Sequence, residues 1–369
     1  MHSLEGYLPR RGLSIPMLTA LDSQGRLDEA GQRRLLRHVV SEGFGADLLF
    51  VGGTTGEAMA LPLPLRKRLL ETMVDEARLV NRELAAAGGR PREVWAGVTA
   101  RGRSDTLGLL AHAVRAGADA AVIAPLSIDD LGDVLVFFQR EVREVLEGGD
   151  RMIPLFLYDN ADLAADPRET HLKTSLVKRL SRLEFVRGIK VSAPMQVLGN
   201  YAKAASHFNT RGSFAIYVGN ARLIFEIFDT EKGPFRRYLD RMLLNYSLPV
   251  GVVAGQANAF PREWQNAWRV SLAGDDTEIA RYARAFARLS EACRPGGAAR
   301  SVACLKRALS RAGVIAGDTL APGTPSLAGD DAAAFDTAFG AVRRLLTEEA
   351  PPRWVTPWPR VPAGERVGR

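Results

Sequence analysis

The sequence predicts an α/β protein folded as a (β/α)8 TIM barrel with a C-terminal helical appendage. Short apolar runs bounded by Gly, Pro or polar residues alternate with longer amphipathic segments. Repeated strand-then-helix order predicts a parallel sheet with right-handed crossovers. Eight such pairs occupy roughly 270 residues, which is the usual extent of this barrel. The chain has 369 residues and therefore extends beyond it.

Each predicted element follows from its length and its apolar period. The predicted strands are 13–19, 46–52, 93–99, 119–124, 153–158, 184–190, 213–219 and 249–254. The predicted helices are 28–43, 64–87, 104–117, 131–147, 172–182, 195–206, 221–228 and 261–273.

The predicted organisation has three parts. The barrel covers 1–273 and carries a mostly helical insertion at 229–248. C-terminal helices fill 274–349, and 350–369 is a Pro-rich tail or a strap on a neighbouring subunit. The helices of the appendage are predicted at 275–292, 299–312 and 331–348.

Composition excludes several classes of protein. With 46% hydrophobic and 25% charged residues, the chain can bury a large core. The net charge of +7 is spread over many helices, so a nucleic-acid partner is not indicated. Cys293 and Cys304 lack metal-ligand spacing, so neither a metal site nor a disulfide framework is expected. The sequence has neither a signal peptide nor a run that predicts a membrane span, so we expect a cytoplasmic protein with no membrane partner.

Lys190 closes the sixth predicted strand, where the strand should give way to a loop. Strand alternation predicts that Val186, Gly188 and Lys190 share one face, away from Arg187. A lysine attacks a ketone only after losing its proton, and burial in an apolar barrel interior favours the neutral amine. The alternative is an ordinary ion-pairing lysine at a strand end.

A glycine- and threonine-rich turn follows the second predicted strand, and residues 52–57 read Gly-Gly-Thr-Thr-Gly-Glu. Glycines allow close approach of an anion, and hydroxyls and exposed amides donate hydrogen bonds to it. We expect Gly53, Thr54 and Thr55 to bind a carboxylate. The alternative is a tight turn whose threonines cap the next helix. The turn matches neither a Walker loop nor a dinucleotide-binding fingerprint.

Tyr158 stands at the end of the fifth predicted strand. Imine formation needs a group that both gives and takes protons, and a phenol near Lys190 can do this. The alternative is an aromatic side chain that merely plugs the strand end. In a (β/α)8 barrel the turn 52–57, Tyr158 and Lys190 would meet at the C-terminal rim, where active sites of this fold lie.

These residues resemble the pyruvate-dependent class I aldolases typified by dihydrodipicolinate synthase and N-acetylneuraminate lyase. The resemblance covers roughly residues 12–330 and depends on the order and spacing of short motifs. The motifs are Pro16-Met-Leu-Thr-Ala-Leu-Asp22, Gly53-Thr-Thr-Gly-Glu57, Leu157-Tyr158, Gly188-Ile-Lys190, Val218-Gly219 and Gly251-Val-Val-Ala-Gly-Gln-Ala-Asn258.

The resemblance implies roles for individual residues. It makes Lys190 the Schiff-base lysine, Tyr158 the proton relay and Thr55 part of the catalytic group. The substrate-binding residues that we expect are Gly53, Thr54, Thr55, Gly219, Val253 and Arg222. It further implies a homotetramer or dimer that needs no cofactor beyond the covalent imine on Lys190.

The sequence also departs from that family. Ala124-Pro-Leu-Ser127 stands where the synthases carry a pair of tyrosines. Asp159 and Asp162 follow the strand-5 tyrosine, where an arginine is usual, and their charges would repel a carboxylate there. Arg222 is predicted at the same rim, where it either binds a distal carboxylate or phosphate or simply lies in solvent.

We therefore expect a lyase, either an aldolase or a dehydratase, that joins Lys190 to a small 2-oxo acid and uses the imine as an electron sink. The expected substrate is pyruvate or a 2-keto-3-deoxy sugar acid with neutral distal hydroxyls. Two alternatives stay open. One is a dihydrodipicolinate synthase with an altered proton relay, and the other is a catalytically weak barrel that only binds an oxo acid.

Overall fold

The computed structural model describes residues 4, 6–205, 214–227, 249–293, 300–327 and 329–347. In these residues eight parallel strands form a closed barrel, each paired with the next along the chain and β8 paired with β1. The predicted fold class is thus confirmed. The predicted insertion 229–248 and the predicted tail 350–369 lie outside the described residues.

The strands are short and buried, as their apolar sequences predict. They are β1 (Gly12–Pro16), β2 (Leu48–Val51), β3 (Glu93–Gly97), β4 (Ala120–Ile123), β5 (Leu155–Asn160), β6 (Val186–Ser192), β7 (Ala215–Val218) and β8 (Gly251–Val253).

Helices follow the strands in the predicted order. Those of the barrel are α1 (Glu29–Val40), α2 (Leu63–Ala86), α3 (Arg103–Ala116), α4 in three consecutive parts (Val134–Phe137, the π-helical Phe138–Val142 and Arg143–Glu147), α5 (Thr174–Leu180), α6 (Met195–Ala205), α7 (Ile224–Ile227) and α8 (Pro261–Ala273). The predicted helix 221–228 instead begins as a 3-10 turn, Ala221–Leu223, that runs into α7.

Local sequence explains where these helices begin and end. The Asp28 carboxylate accepts a hydrogen bond of 2.8 Å from the N–H of Gly31, which caps α1. Gly117 takes the left-handed conformation that ends α3. Helix α2 begins with a proline in its first turn, where the missing N–H has no acceptor to lose.

The barrel interior is filled largely by aromatic side chains. Trp95 stacks on Phe156 with ring centres 3.9 Å apart, and Tyr217 meets both rings edge-on. Phe50 and Tyr158 continue this interior cluster. A second, larger apolar cluster lies between the strands and the helices. The interior is therefore packed and leaves Lys190 buried among aromatic rings.

Strand β6 contains an irregularity that changes one predicted face. Leu155 pairs with Val186 and Phe156 pairs with Gly188, so Arg187 is an extra residue in β6. Val186 consequently packs in the cluster between strands and helices, and its predicted position on the Lys190 face is wrong. A Cβ on Gly188 would touch the interior ring of Phe156, which places Gly188 on the interior side.

Among the described residues, three helices follow the barrel: α9 (Asp276–Ala292), α10 (Arg300–Arg311) and α11 (Asp330–Thr347). They agree closely with the predicted helices of the appendage. Trp264 of α8 stacks on Phe286 of α9 at 4.2 Å, and Phe260 packs against Phe339 of α11 at 5.0 Å. These contacts fix the appendage to the barrel. No helix in the described part of the chain is long and apolar enough to cross a membrane.

Candidate active site

Lys190 is buried at the carboxyl end of β6, with 7% of its surface exposed. Its Nζ lies 3.7 Å from the centre of the Tyr158 ring and 4.9 Å from the centre of the Phe50 ring. The negative faces of aromatic rings attract an ammonium group. The amine is thus held in a pocket of rings at the end of the barrel where active sites of this fold lie.

Tyr158 lies opposite Lys190 on the neighbouring strand β5. Its hydroxyl is surrounded by three polar side chains. The Asn160 amide donates to it at 3.0 Å, the Ser192 hydroxyl donates at 3.4 Å, and the Thr54 hydroxyl lies 3.3 Å away. These contacts fix the position of the phenolic oxygen beside the amine.

The surroundings of Tyr158 lower its pKa. Burial alone would raise the pKa of the phenol, because it disfavours the charged form. The positive charge of Lys190 and the hydroxyls of Ser192 and Thr54 outweigh burial, so the pKa falls below its ordinary value. A phenol with a lowered pKa beside an amine is suited to exchange protons with it.

The turn after β2 brings Thr54 and Thr55 to the same rim. Thr54–Gly56 forms a 3-10 turn, and α2 begins later, at Leu63. A Cβ on Gly53 would lie 2.7 Å from the Phe50 ring, so only glycine allows the chain to pass this close to the ring.

The two threonines point to different neighbours. Thr54 faces Tyr158, whereas the Thr55 hydroxyl lies beside Gly255, 3.6 Å from where a Cβ on that residue would stand. Neither side chain caps α2, whose N-terminal flanking residue is Pro62. Both side chains therefore point towards residues of the barrel mouth and not towards the N-terminus of α2.

The remaining predicted residues occupy other parts of the rim. Val253 ends β8 and packs in the same interior cluster as Tyr158. Gly219 follows β7, and a Cβ there would lie 2.2 Å from the Ser192 hydroxyl, so glycine leaves room for that hydroxyl. Arg222 lies in the 3-10 turn after β7 and is exposed.

Three contacts of this site were not predicted from the sequence. They involve Phe50, Asn160 and Ser192, all of which line the Lys190–Tyr158 pair. Strand alternation is a signal that could have found two of them. Asn160 lies two residues after Tyr158, and Ser192 lies two residues after Lys190, so each shares its neighbour's face.

The predicted role of Asp159 is wrong. Its side chain is fully buried on the opposite face of β5 from Tyr158. One carboxylate oxygen lies 3.0 Å from His171 Nδ1 and accepts from the Tyr201 hydroxyl at 3.0 Å, and the other accepts from the N–H of Leu172 at 3.0 Å. Asp159 therefore anchors the segment after β5 and does not set the charge of the barrel mouth. Asp162 is exposed in the turn that follows.

The arrangement as a whole is a buried primary amine beside a phenol, with hydroxyl and amide donors around them. This set can form an imine with a carbonyl compound and move the protons that the reaction requires. Within the described residues, no group of three His, Cys, Asp or Glu side chains is placed to hold a metal ion.

Comparisons with known proteins identify the family of the chain. Residues 9–230, more than half of the chain, match the model of the Dihydrodipicolinate synthetase family. A 4-hydroxy-tetrahydrodipicolinate synthase of Methanothermobacter thermautotrophicus is 29% identical over 184 residues, which is 50% of this chain and 57% of that protein. An N-acetylneuraminate lyase of Escherichia coli is 41% identical over 68 residues, 18% of this chain and 22% of that protein. The matches thus span little more than half of the first relative and less of the second.

A solved structure gives the same fold. The dihydrodipicolinate synthase from Bacteroides thetaiotaomicron aligns with a TM-score of 0.72 at 22% sequence identity. The alignment covers 91% of this chain and 99% of that one. At this identity the likeness establishes the barrel with its C-terminal helices.

Proposed function

The chain belongs to the dihydrodipicolinate synthetase family, and we propose on that premise that it is a Schiff-base-forming lyase that acts on a small 2-oxo acid through Lys190. The observation that carries the proposal is the buried Lys190 amine, 3.7 Å from the centre of the Tyr158 ring. An ordinary ion-pairing lysine would sit beside a carboxylate, whereas this one lies between two aromatic rings. Mere binding of an oxo acid requires neither an imine nor a proton relay.

The turn after β2 supplies the binding site for the substrate carboxylate. The first amides of a helical turn have no acceptor within the turn, so those of Thr54 and Thr55 are available to an anion. The Thr55 hydroxyl adds a further donor, while the Thr54 hydroxyl is engaged with Tyr158. A carboxylate bound by these amides and by the Thr55 hydroxyl would hold the adjacent carbonyl carbon near Lys190.

Imine formation then follows from the two paired side chains. The neutral Lys190 amine adds to the C2 carbonyl and gives a carbinolamine. Tyr158 donates its proton to the departing hydroxyl, water leaves, and Nζ becomes doubly bonded to C2 as a cationic iminium. Tyr158 is left as a phenolate, a form that its lowered pKa favours.

Cleavage uses the same two groups. The Tyr158 phenolate takes the proton from a hydroxyl on C4, the C3–C4 bond breaks, and its electron pair moves through C2 to the iminium nitrogen. An aldehyde leaves and an enamine of pyruvate remains on Lys190. The phenol returns its proton to C3, and water releases pyruvate and the free amine.

The polar groups at the mouth favour a substrate with a neutral tail. Asn160 and Ser192 lie on the mouth side of the Tyr158–Lys190 pair and are uncharged hydrogen-bonding groups. Amides and hydroxyls pair well with sugar hydroxyls. We therefore propose a 2-keto-3-deoxy sugar acid as substrate, with pyruvate as the shared product or co-substrate.

The test is a direct comparison of two reactions with the purified protein. One assay follows pyruvate released from 2-keto-3-deoxygluconate, and the other follows condensation of pyruvate with aspartate semialdehyde. We expect pyruvate release by the wild type and by Lys173→Met, which removes an exposed lysine, but none by Lys190→Met. Efficient condensation with aspartate semialdehyde and no cleavage would overturn the substrate assignment. Failure of both reactions would overturn the lyase itself.

A further inference from the structure

We propose that Glu57 and Lys306 form a positioning pair that holds the Thr54–Thr55 turn in its working conformation, so that helix α10 of the appendage supports the active site. The inference rests on the proposed function, because the turn is assigned there to the substrate carboxylate. Neither side chain is among the groups assigned to the substrate. Their effect acts through the backbone of the turn.

The pair is almost completely buried. Lys306 is 0% exposed and Glu57 is 7% exposed, and Lys306 Nζ lies 2.5 Å from Glu57 Oε2. Each side chain also makes a hydrogen bond with the segment after α10. Lys306 Nζ donates to the Thr319 carbonyl at 2.7 Å, and Glu57 Oε1 accepts from the N–H of Ala321 at 2.8 Å. Side chains from distant parts of the sequence thus join the turn, α10 and the segment 319–321.

Glu57 also has an unusual backbone. Its φ is 57°, in the left-handed region that residues with a side chain seldom adopt. It stands between two 3-10 turns, and its N–H donates to the Thr54 carbonyl at 3.0 Å. Such a conformation persists only where the surroundings determine it, and the ion pair with Lys306 is a specific restraint on this residue.

The cost of burying two charges argues against a purely stabilising role. Removing two ions from water is expensive, and apolar residues of similar size often stabilise a fold as well or better. Burial lowers the pKa of Lys306, which Glu57 opposes by favouring the charged amine. A buried, hydrogen-bonded ion pair instead gives the turn at Glu57 a defined geometry.

The turn transmits that geometry to the reacting groups. Thr54 lies three residues before Glu57, and its hydroxyl is 3.3 Å from the Tyr158 hydroxyl. Thr54 is also one of the groups that lower the pKa of Tyr158. A turn released from Lys306 would therefore bind the substrate carboxylate less well and would let the pKa of Tyr158 rise.

The experiment compares Lys306→Met with the double variant Glu57→Met/Lys306→Met and with Arg307→Met. Lys306→Met leaves the Glu57 carboxylate buried without its charged partner and can fail to fold for that reason. The double variant replaces both charges by apolar side chains and avoids this problem. Arg307→Met is the matched control, because Arg307 pairs with Asp336 inside the appendage and not with the turn. Three quantities are measured: the melting temperature, the pyruvate concentration that half-saturates borohydride trapping, and the phenolate absorbance of Tyr158, taken as the difference from Tyr158→Phe.

For Lys306→Met and the double variant we expect a half-saturating pyruvate concentration about 10- to 100-fold higher, since small misplacements of binding groups have effects of this size. The Tyr158 titration should move to higher pH in both. Arg307→Met should leave the half-saturating concentration and the Tyr158 titration unchanged.

A double variant that binds pyruvate and titrates like the wild type would overturn the positioning role and leave the pair a structural contact. The titration needs no substrate, so it decides the role of the pair even if the wild type traps no oxo acid. If the wild type traps no oxo acid but the Tyr158 titration still moves in the Lys306 variants, only the proposed function fails.

Discussion

Lys190 and Tyr158 face each other on adjacent strands, with the lysine amine 3.7 Å from the centre of the phenol ring. The charge of the amine therefore acts on the phenol at close range. The positive amine is the largest of the effects that lower the pKa of Tyr158, against burial, which raises it. This proximity is the basis for the proposed exchange of protons between the two groups.

The pH dependence of the reaction should respond to Thr54. Thr54→Val removes a hydroxyl that helps to lower the pKa of Tyr158, so the pKa of the phenol rises in the variant. The phenolate is present above this pKa, and the acid limb of the profile of kcat against pH should therefore move to higher pH. Thr337→Val, in α11, is the control and should leave the limb in place. A limb that does not move in Thr54→Val would contradict the role of Thr54.

Loss of the relay should slow the reaction without preventing the adduct. Tyr158→Phe keeps the aromatic ring beside Lys190 but removes the proton that the carbinolamine needs. We expect kcat to fall by about 10²- to 10⁴-fold, as is usual for the loss of a general acid–base group. Prolonged incubation with pyruvate and borohydride should still label Lys190. An unchanged kcat would show that another group moves the proton.

Thr55 gives a prediction about binding. Thr55→Val removes a hydroxyl while nearly conserving the shape of the side chain. If the hydroxyl meets a charged oxygen, oxo-acid binding weakens by about 1.5–3 kcal/mol. The melting temperature should barely change. A variant that melts lower but binds as tightly as the wild type would assign Thr55 to the structure of the turn alone.

The sequence predicts the barrel well because each strand is a short apolar run with its own boundaries. It predicts less of the site, because the contacts there join distant segments. Thr54 reaches Tyr158 and Glu57 reaches Lys306 only after the chain has folded. The order of the barrel strands predicts that the turn and Tyr158 meet at one rim, whereas no pattern in the sequence predicts the contact of Glu57 with Lys306.

The prediction that the Asp159 charge lies beside Tyr158 at the barrel mouth was based on their proximity in sequence. It follows Tyr158 directly, yet consecutive residues of a strand point to opposite faces. Strand alternation therefore places Asp159 on the helix-facing side of β5, opposite to Tyr158. Applied along β5 and β6, the same alternation identifies Asn160 and Ser192 as neighbours of Tyr158 and Lys190.

The corrected role of Asp159 is itself testable. Asp159→Leu removes a buried carboxylate that accepts from the N–H of Leu172 and lies 3.0 Å from His171 Nδ1, whereas the Tyr201 hydroxyl keeps the Leu172 carbonyl as an acceptor at 2.6 Å. The loss should lower the free energy of unfolding by about 2–5 kcal/mol. Asp162→Leu, at an exposed position, should change stability by less than about 0.5 kcal/mol. Chemical denaturation measures both. A stable Asp159→Leu variant with altered substrate preference would restore the original interpretation.

Reduction of the imine that Lys190 is proposed to form with a 2-oxo acid is the most direct test of the mechanism. The protein is incubated with pyruvate and borohydride, its intact mass is measured, and the labelled peptide is sequenced. We predict a single irreversible adduct per chain at Lys190, absent from Lys190→Ala and from Lys190→Arg, whose guanidinium stays protonated and cannot attack a carbonyl. A label on Lys173, Lys178 or Lys203 instead, or no label with any oxo acid, would contradict the mechanism.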